Sequence, residues 1–170
     1  MDNPSLWMLW RLLLPVFIAG CVHMVVVTCN LLPWLAVPLT ARLFGSNKTW
    51  RGVVVVPLIS TLVAPLCLAD EVDNPWLLGA ATGLGYMLGE LPNSALKRGL
   101  GIAPGTLPVR RKGLFLFLDQ ADSGIGVALA CGWALALDAR QVLLLLVLFI
   151  LSVPVIKLML HSLGLKESRF

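Results

Sequence analysis

Two aspartates, Asp119 and Asp122, stand three residues apart within LFLFLDQADSGIGVALACGWALAL, an otherwise apolar run that begins at Leu114. On a helix, residues at i and i+3 share a face, so both carboxylates point the same way. An ionised aspartate at mid-bilayer costs about 2.5–3.5 kcal/mol on insertion scales, and two side by side also repel each other. The cost falls if the pair lies near a membrane boundary and faces a water-filled cavity. A divalent cation between the acids removes most of it. Mg²⁺ takes one or two carboxylates, with water and substrate phosphates completing its shell. The other way to keep such a pair is to neutralise it with basic loop residues at the membrane rim.

Groups suited to phosphate stand in two further polar clusters. In FGSNKTWRG, Phe44 to Gly52, small residues turn the chain and bring Lys48, Thr49 and Arg51 together ahead of an apolar segment. The stretch resembles the end of a Walker A loop, but the upstream glycine and the preceding strand are missing, which excludes a P-loop. Backbone N–H groups beside Lys and Arg still make an anion site. Ordinary membrane-proximal positive charge is the alternative for this loop. The second cluster is GELPNSALKRGLGIAPGTLPVRRK, Gly89 to Lys112. Here Pro92 is expected to interrupt a helix near Glu90 and free backbone groups towards a cavity. A helix restarting there puts Asn93 and Lys97 one turn apart on one face. The loop GLGIAPG, ending at Gly105, can approach a nucleotide. Arg110, Arg111 and Lys112 are expected at anionic lipid headgroups.

Other chemistries lack their residues. His23 and His161 are isolated, and there is no Ser-His-Asp set, no HExxH and no CxxC pair. The cysteines Cys21, Cys29, Cys67 and Cys131 all lie in apolar runs, as inert thiols do. Phosphoryl-type transfer asks for metal ions, acids to hold them and cations around the phosphates. That inventory is present.

The elements that must position these residues follow from composition. Of the 170 residues 58% are hydrophobic and only 13% charged, and mean hydropathy is +0.89. Soluble domains are close to half apolar and a quarter charged. The expected fold class is therefore an all-α polytopic membrane protein, a single transmembrane domain over residues 1–170. Five apolar segments are expected at about 6–37, 53–68, 75–91, 114–137 and 142–163, the first long enough to be tilted or broken, with kinks at Pro15 and Pro33. The first reads as a retained span rather than a cleaved leader, because an acid precedes its arginine and no small-residue cleavage site follows. Glycines in the third and fourth segments let helix backbones approach closely. Eleven of the thirteen Lys and Arg residues fall on one side, leaving Arg11 and Arg140 on the other. By the positive-inside rule the loops 38–52 and 92–113 and the C-terminus are cytoplasmic, with the N-terminus outside an inner or plasma membrane. All three polar clusters then meet in one cytoplasm-facing cavity.

With these clusters in order, the chain resembles the CDP-archaeol synthase family, membrane cytidylyltransferases distantly related to CDP-diacylglycerol synthases. The match rests on KTWRG (Lys48 to Gly52), ALKRGLGIAPG (Ala95 to Gly105) and LDQADS (Leu118 to Ser123), with a weaker likeness around Asn30. The resemblance implies that CTP and a lipid phosphomonoester give a CDP-lipid and pyrophosphate, with Mg²⁺ as cofactor. It implies Asp119 and Asp122 as metal-binding, catalytic acids, with Glu90 as a further metal ligand. Gly89-Glu90 stands where the family has Gly-Asp. It implies Lys97 and Arg98 as phosphate contacts. Lys48, Thr49 and Arg51, together with Asn30, Asn93 and Gly105, would line the nucleotide or lipid-phosphate site. The insertions common after the first span are short here, which points to a bacterial relative with a different lipid phosphate. Two other readings compete. A CDP-alcohol phosphatidyltransferase would need a DGxxAR…GxxxD…D signature, which is absent. A small cation transporter would need polar residues through the outer half of the spans, which are apolar.

Overall fold

The computed structural model describes residues 5–106, 112–162 and 164, and among these the chain is helical with no strand. Arg110 and Arg111, expected at lipid headgroups, lie outside the described residues. Five long helices carry the fold: α1 (Leu6–Thr28), α3 (Trp50–Leu68), α4 (Pro75–Gly99), α5 (Lys112–Leu135) and α6 (Ala139–Ser162). A short α2 (Ala41–Phe44) lies in the first loop.

Local chemistry starts these helices where they start. Ser5 accepts a hydrogen bond from the Met8 amide at 3.2 Å, and Asn74 accepts one from Leu77 at 3.0 Å ahead of Pro75. Before α6, Asp138 and Gln141 exchange side chain-to-backbone bonds of 2.8 and 3.0 Å, a capping box. α1, α3, α5 and α6 are each long and apolar enough to cross a membrane. At about 1.5 Å per residue α4 is also longer than a ~30 Å hydrocarbon core. It is less apolar because its second half carries Glu90, Asn93, Lys97 and Arg98. The buried core joins α1, α3, α4, α5 and α6 through residues such as Leu12, Val56, Leu78, Val127 and Phe149.

One expectation is sharpened and one gives way. The first helix stops at Thr28 rather than running to Val37. Asn30 and Leu32 take left-handed φ angles of 48° and 52°, and Pro33 opens a short 3-10 turn. Asparagine adopts that conformation readily, and proline restricts the residue before it. Pro92 does not interrupt α4, which continues to Gly99. Its missing N–H removes one intrahelical bond, while close packing against α5 holds the helix on its course.

That packing depends on glycine. A Cβ on Gly126 would lie 1.9 Å from the Gly85 carbonyl oxygen, and one on Gly89 would lie 2.5 Å from that of Asp122. Backbone meets backbone along the α4–α5 crossing, as small residues allow between membrane helices. One turn beyond Gly89, this contact sets Asn93 against both aspartates.

Candidate active site

Asn93 on α4 donates from its single Nδ2 to Asp119 Oδ1 at 2.6 Å and to Asp122 Oδ2 at 2.9 Å. Lys97, one turn further along α4, donates to the other Asp119 oxygen at 2.5 Å. The Lys97 side chain is buried, its residue only 8% exposed, with Phe115 beneath its ammonium group. The second Asp122 oxygen accepts from the Ser123 amide at 2.6 Å. At about 1.5 Å per residue, Asp119 and Asp122 lie roughly 10 and 15 Å from the start of α5. The acids sit two to three turns inside the helix, held by donors from α4.

A cavity of about 280 Å³ opens beside them. Asp119, Asp122 and Glu90 line it together with Lys48, Lys97, Arg98 and Lys157, and Gly105 and Thr106 border it from the loop after α4. Lys48 forms an ion pair with Glu90. Burial alone would lower the Lys48 ammonium, but the Glu90 carboxylate, with Asp122 and Asp119 beyond it, outweighs that and holds it above its ordinary value. Arg98 donates to the Ala103 carbonyl at 3.3 Å, while its Nε and Nη1 are buried without a partner among the described residues. Unsatisfied guanidinium donors at a cavity wall are what a phosphate oxygen would satisfy.

The loops that supply these cations are tied down. Leu39 donates to the Lys48 carbonyl at 2.8 Å and Trp50 to that of Val37 at 3.0 Å, around an isolated bridge between Pro38 and Thr49. Gly45 has a φ of 93° and lies against the Pro104 ring, so the loop after α4 folds over the loop before α3. Lys97 and Arg98 occupy the last turn of α4, where the helix dipole favours cations. Ile102 returns a bond to the Lys97 carbonyl at 2.9 Å and closes that end.

Of the residues singled out in the sequence, Asp119, Asp122, Glu90, Lys48, Lys97, Arg98 and Gly105 line the cavity. Asn93 stands behind the acids rather than on the wall. Thr49, Arg51 and Asn30 lie elsewhere. Thr49 forms the bridge to Pro38. Arg51 is 8% exposed and donates to the Leu31 carbonyl at 3.2 Å, which pins the segment after α1. Asn30 belongs to that same turn and is exposed. Among the described residues no three His, Cys, Asp or Glu side chains form a metal-binding group, and Glu90 is engaged by Lys48. Sequence reasoning did not single out Phe44, Asn47, Ser94 or Lys157, which also line the cavity. The signal for Lys157 was a lone lysine in the last third of an apolar helix.

Asp119 and Asp122 fit a divalent cation in the two-carboxylate manner. One oxygen of each accepts from the same Asn93 nitrogen, which holds the two carboxylates side by side, and the cavity they line leaves room for phosphate and water to complete a shell.

The chain is similar to the CDP-archaeol synthase of Halorubrum lacusprofundi, with 37% identity over 148 residues covering 75% of this chain and 76% of that protein. No family model matches, and no solved structure matches.

Proposed function

Because the chain belongs to the CDP-archaeol synthase family, we propose that it joins CTP to a membrane lipid phosphomonoester, giving a CDP-activated lipid and pyrophosphate. It is a membrane-embedded nucleotidyltransferase that uses CTP. To this we add Mg²⁺ as the cofactor, the polar cavity as the reaction site and the cytoplasm as the side from which CTP enters. The observation that carries the reading is one cavity lined by two converging aspartates and four cations, one of them an arginine with unsatisfied buried donors.

The chemistry asks little of a general base. A phosphomonoester loses its second proton near pH 6, so at neutral pH the lipid phosphate is a dianionic nucleophile. One of its oxygens bonds to the α-phosphorus of CTP. The bond from that phosphorus to the bridging oxygen of the β-phosphate breaks, and its electron pair leaves with pyrophosphate. No proton moves in the step. Lys97 and Arg98 bind the phosphates of CTP and offset the charge that develops on the leaving group. Asp119 and Asp122 would hold Mg²⁺, which when bound neutralises phosphate charge and polarises the reacting centre. Asn93 keeps the two acids at a fixed separation, and Glu90 orients Lys48.

The test is to incubate the purified, membrane-reconstituted protein with CTP, Mg²⁺ and a panel of lipid phosphates of ester and ether type. Pyrophosphate release that depends on one lipid class is expected. Release that is indifferent to added lipid would contradict the reading.

A further inference from the structure

Lys157 lies at the meeting of two cavities. It lines the polar cavity with Asp119 and Asp122, and it also lines an apolar groove of about 140 Å³ between α1 and α6. That groove is walled by Phe17, Gly20, Met24, Phe149, Val153 and Ile156. Lys157 makes no direct ion pair among the described residues, whereas Lys48 is paired with Glu90 and Lys97 with Asp119. A second apolar groove, about 580 Å³, runs between α4 and α5 and ends at Asn93 and Asp122.

Charge decides between the two. A lipid phosphomonoester carries close to two negative charges at neutral pH. Drawn along the α4–α5 groove, it would meet a carboxylate first. Drawn along the α1–α6 groove, it meets the ammonium group of Lys157, which feels Asp119, Asp122 and Glu90 across the cavity without a direct ion pair, while its hydrocarbon stays on apolar side chains. We propose that the α1–α6 groove seats a hydrocarbon chain of the lipid phosphate substrate and that Lys157 binds its phosphate, aiming it into the polar cavity. This assignment rests on the lipid-phosphate reading above and names its entry path. Lys157 is then a substrate-binding residue distinct from those that hold CTP.

Gly20 offers a clean probe, because a Cβ added there meets no atom within 4 Å. Gly20→Leu places its Cβ without a clash and carries apolar bulk at the groove wall. It should raise KM for a long-chain lipid phosphate about tenfold while leaving KM for CTP, and turnover of a dibutyryl glycerol phosphate, unchanged. Lys157→Gln should raise KM for the long-chain and dibutyryl phosphates alike, by about 10–100-fold, the loss of one charged contact. Ile125→Trp, in the α4–α5 groove, should change none of these. An unchanged lipid KM in Gly20→Leu with a raised one in Ile125→Trp would overturn the assignment. A readout independent of turnover uses a two-chain glycerol phosphate with a diazirine in one tail. Crosslinks to the α1 segment around Gly20 and to α6 are expected, and they should weaken in Lys157→Gln. Crosslinks on α4 and α5 instead would overturn the groove, whatever the activity. Crosslinks on α1 and α6 in a protein that never converts CTP would leave the groove standing and defeat the cytidylyltransferase reading.

Discussion

A single amide nitrogen on Asn93 touches both aspartates, and this fixes what each substitution should do. Asp119→Asn or Asp122→Asn keeps the shape but removes a charge from the proposed metal site, and Asp119→Asn also takes the ion-pair partner from the buried Lys97. Turnover should fall about 10³-fold or more, with the protein still folded in detergent and a lower melting temperature only for Asp119→Asn; near wild-type activity at saturating CTP and Mg²⁺ would exclude the residue from the proposed metal site. Asn93→Ala leaves both acids charged but unsupported. The Mg²⁺ concentration for half-maximal rate should rise by about 10–100-fold, with the loss partly recovered at high Mg²⁺. The pH dependence has two separate sources. Lys48, raised above its ordinary 10.5, remains charged, so its attraction to Glu90 is complete below pH 10.5 and is lost only as pH climbs through the raised value. Between pH 6 and 9 the pair therefore contributes a constant amount to stability, which thermal melts across that range would show. The rate itself should fall as pH drops through about 6, where the lipid phosphate takes up a proton. At this scale the sequence was informative wherever residue type alone carries chemistry. Two acids in an apolar run could be read at once, and so could Lys48, Lys97 and Arg98. Arg51 and Thr49 share the same tract as Lys48, yet one pins a loop and the other pairs with Pro38, a difference of side-chain direction that spacing does not encode.

Between elements, the α4–α5 crossing positions the acids, and glycine makes it possible. Gly126→Ala would place a methyl group 1.9 Å from the Gly85 carbonyl oxygen, so the helices must separate and Asn93 must withdraw from Asp119 and Asp122. A loss of about 1–3 kcal/mol with strongly reduced turnover is expected. Gly113→Ala, also in α5 but with no atom within 4 Å of the new methyl, should be neutral in both measurements. Equal behaviour of the two variants would refute a packing role for Gly126. The glycine stripe was legible because its spacing speaks directly of close helix approach. The path of α4 was not, since proline predicts a break that packing from a neighbouring helix can override. The end of α1 was legible in part, since Pro33 signals a break but not its position. Hydropathy continues to Val37, while the left-handed Asn30 and the proline at position 33 stop the helix earlier.

Across the whole molecule, the charged residues are sorted by end. Arg11 pairs with Glu71 at one end of the bundle, whereas Lys48, Lys97, Arg98 and Lys157 surround the cavity towards the other. Placing the cavity on the cytoplasmic side follows from the positive-inside rule and predicts a labelling pattern. In a chain with its native cysteines replaced, Ser46→Cys should react with an impermeant maleimide only after the cytoplasmic face is opened, and Asp73→Cys should react from outside. The reverse pattern would put the cavity on the wrong side for CTP. The central claim concerns which phosphorus is attacked, and isotope placement tests it most directly. CTP labelled at the α-phosphorus and CTP labelled at the γ-phosphorus would be supplied in parallel with Mg²⁺ and a long-chain lipid phosphate. The α-label should move into the lipid extract while the γ-label is recovered as pyrophosphate. An α-label that stays in the aqueous phase, or a γ-label released as orthophosphate, would contradict the account.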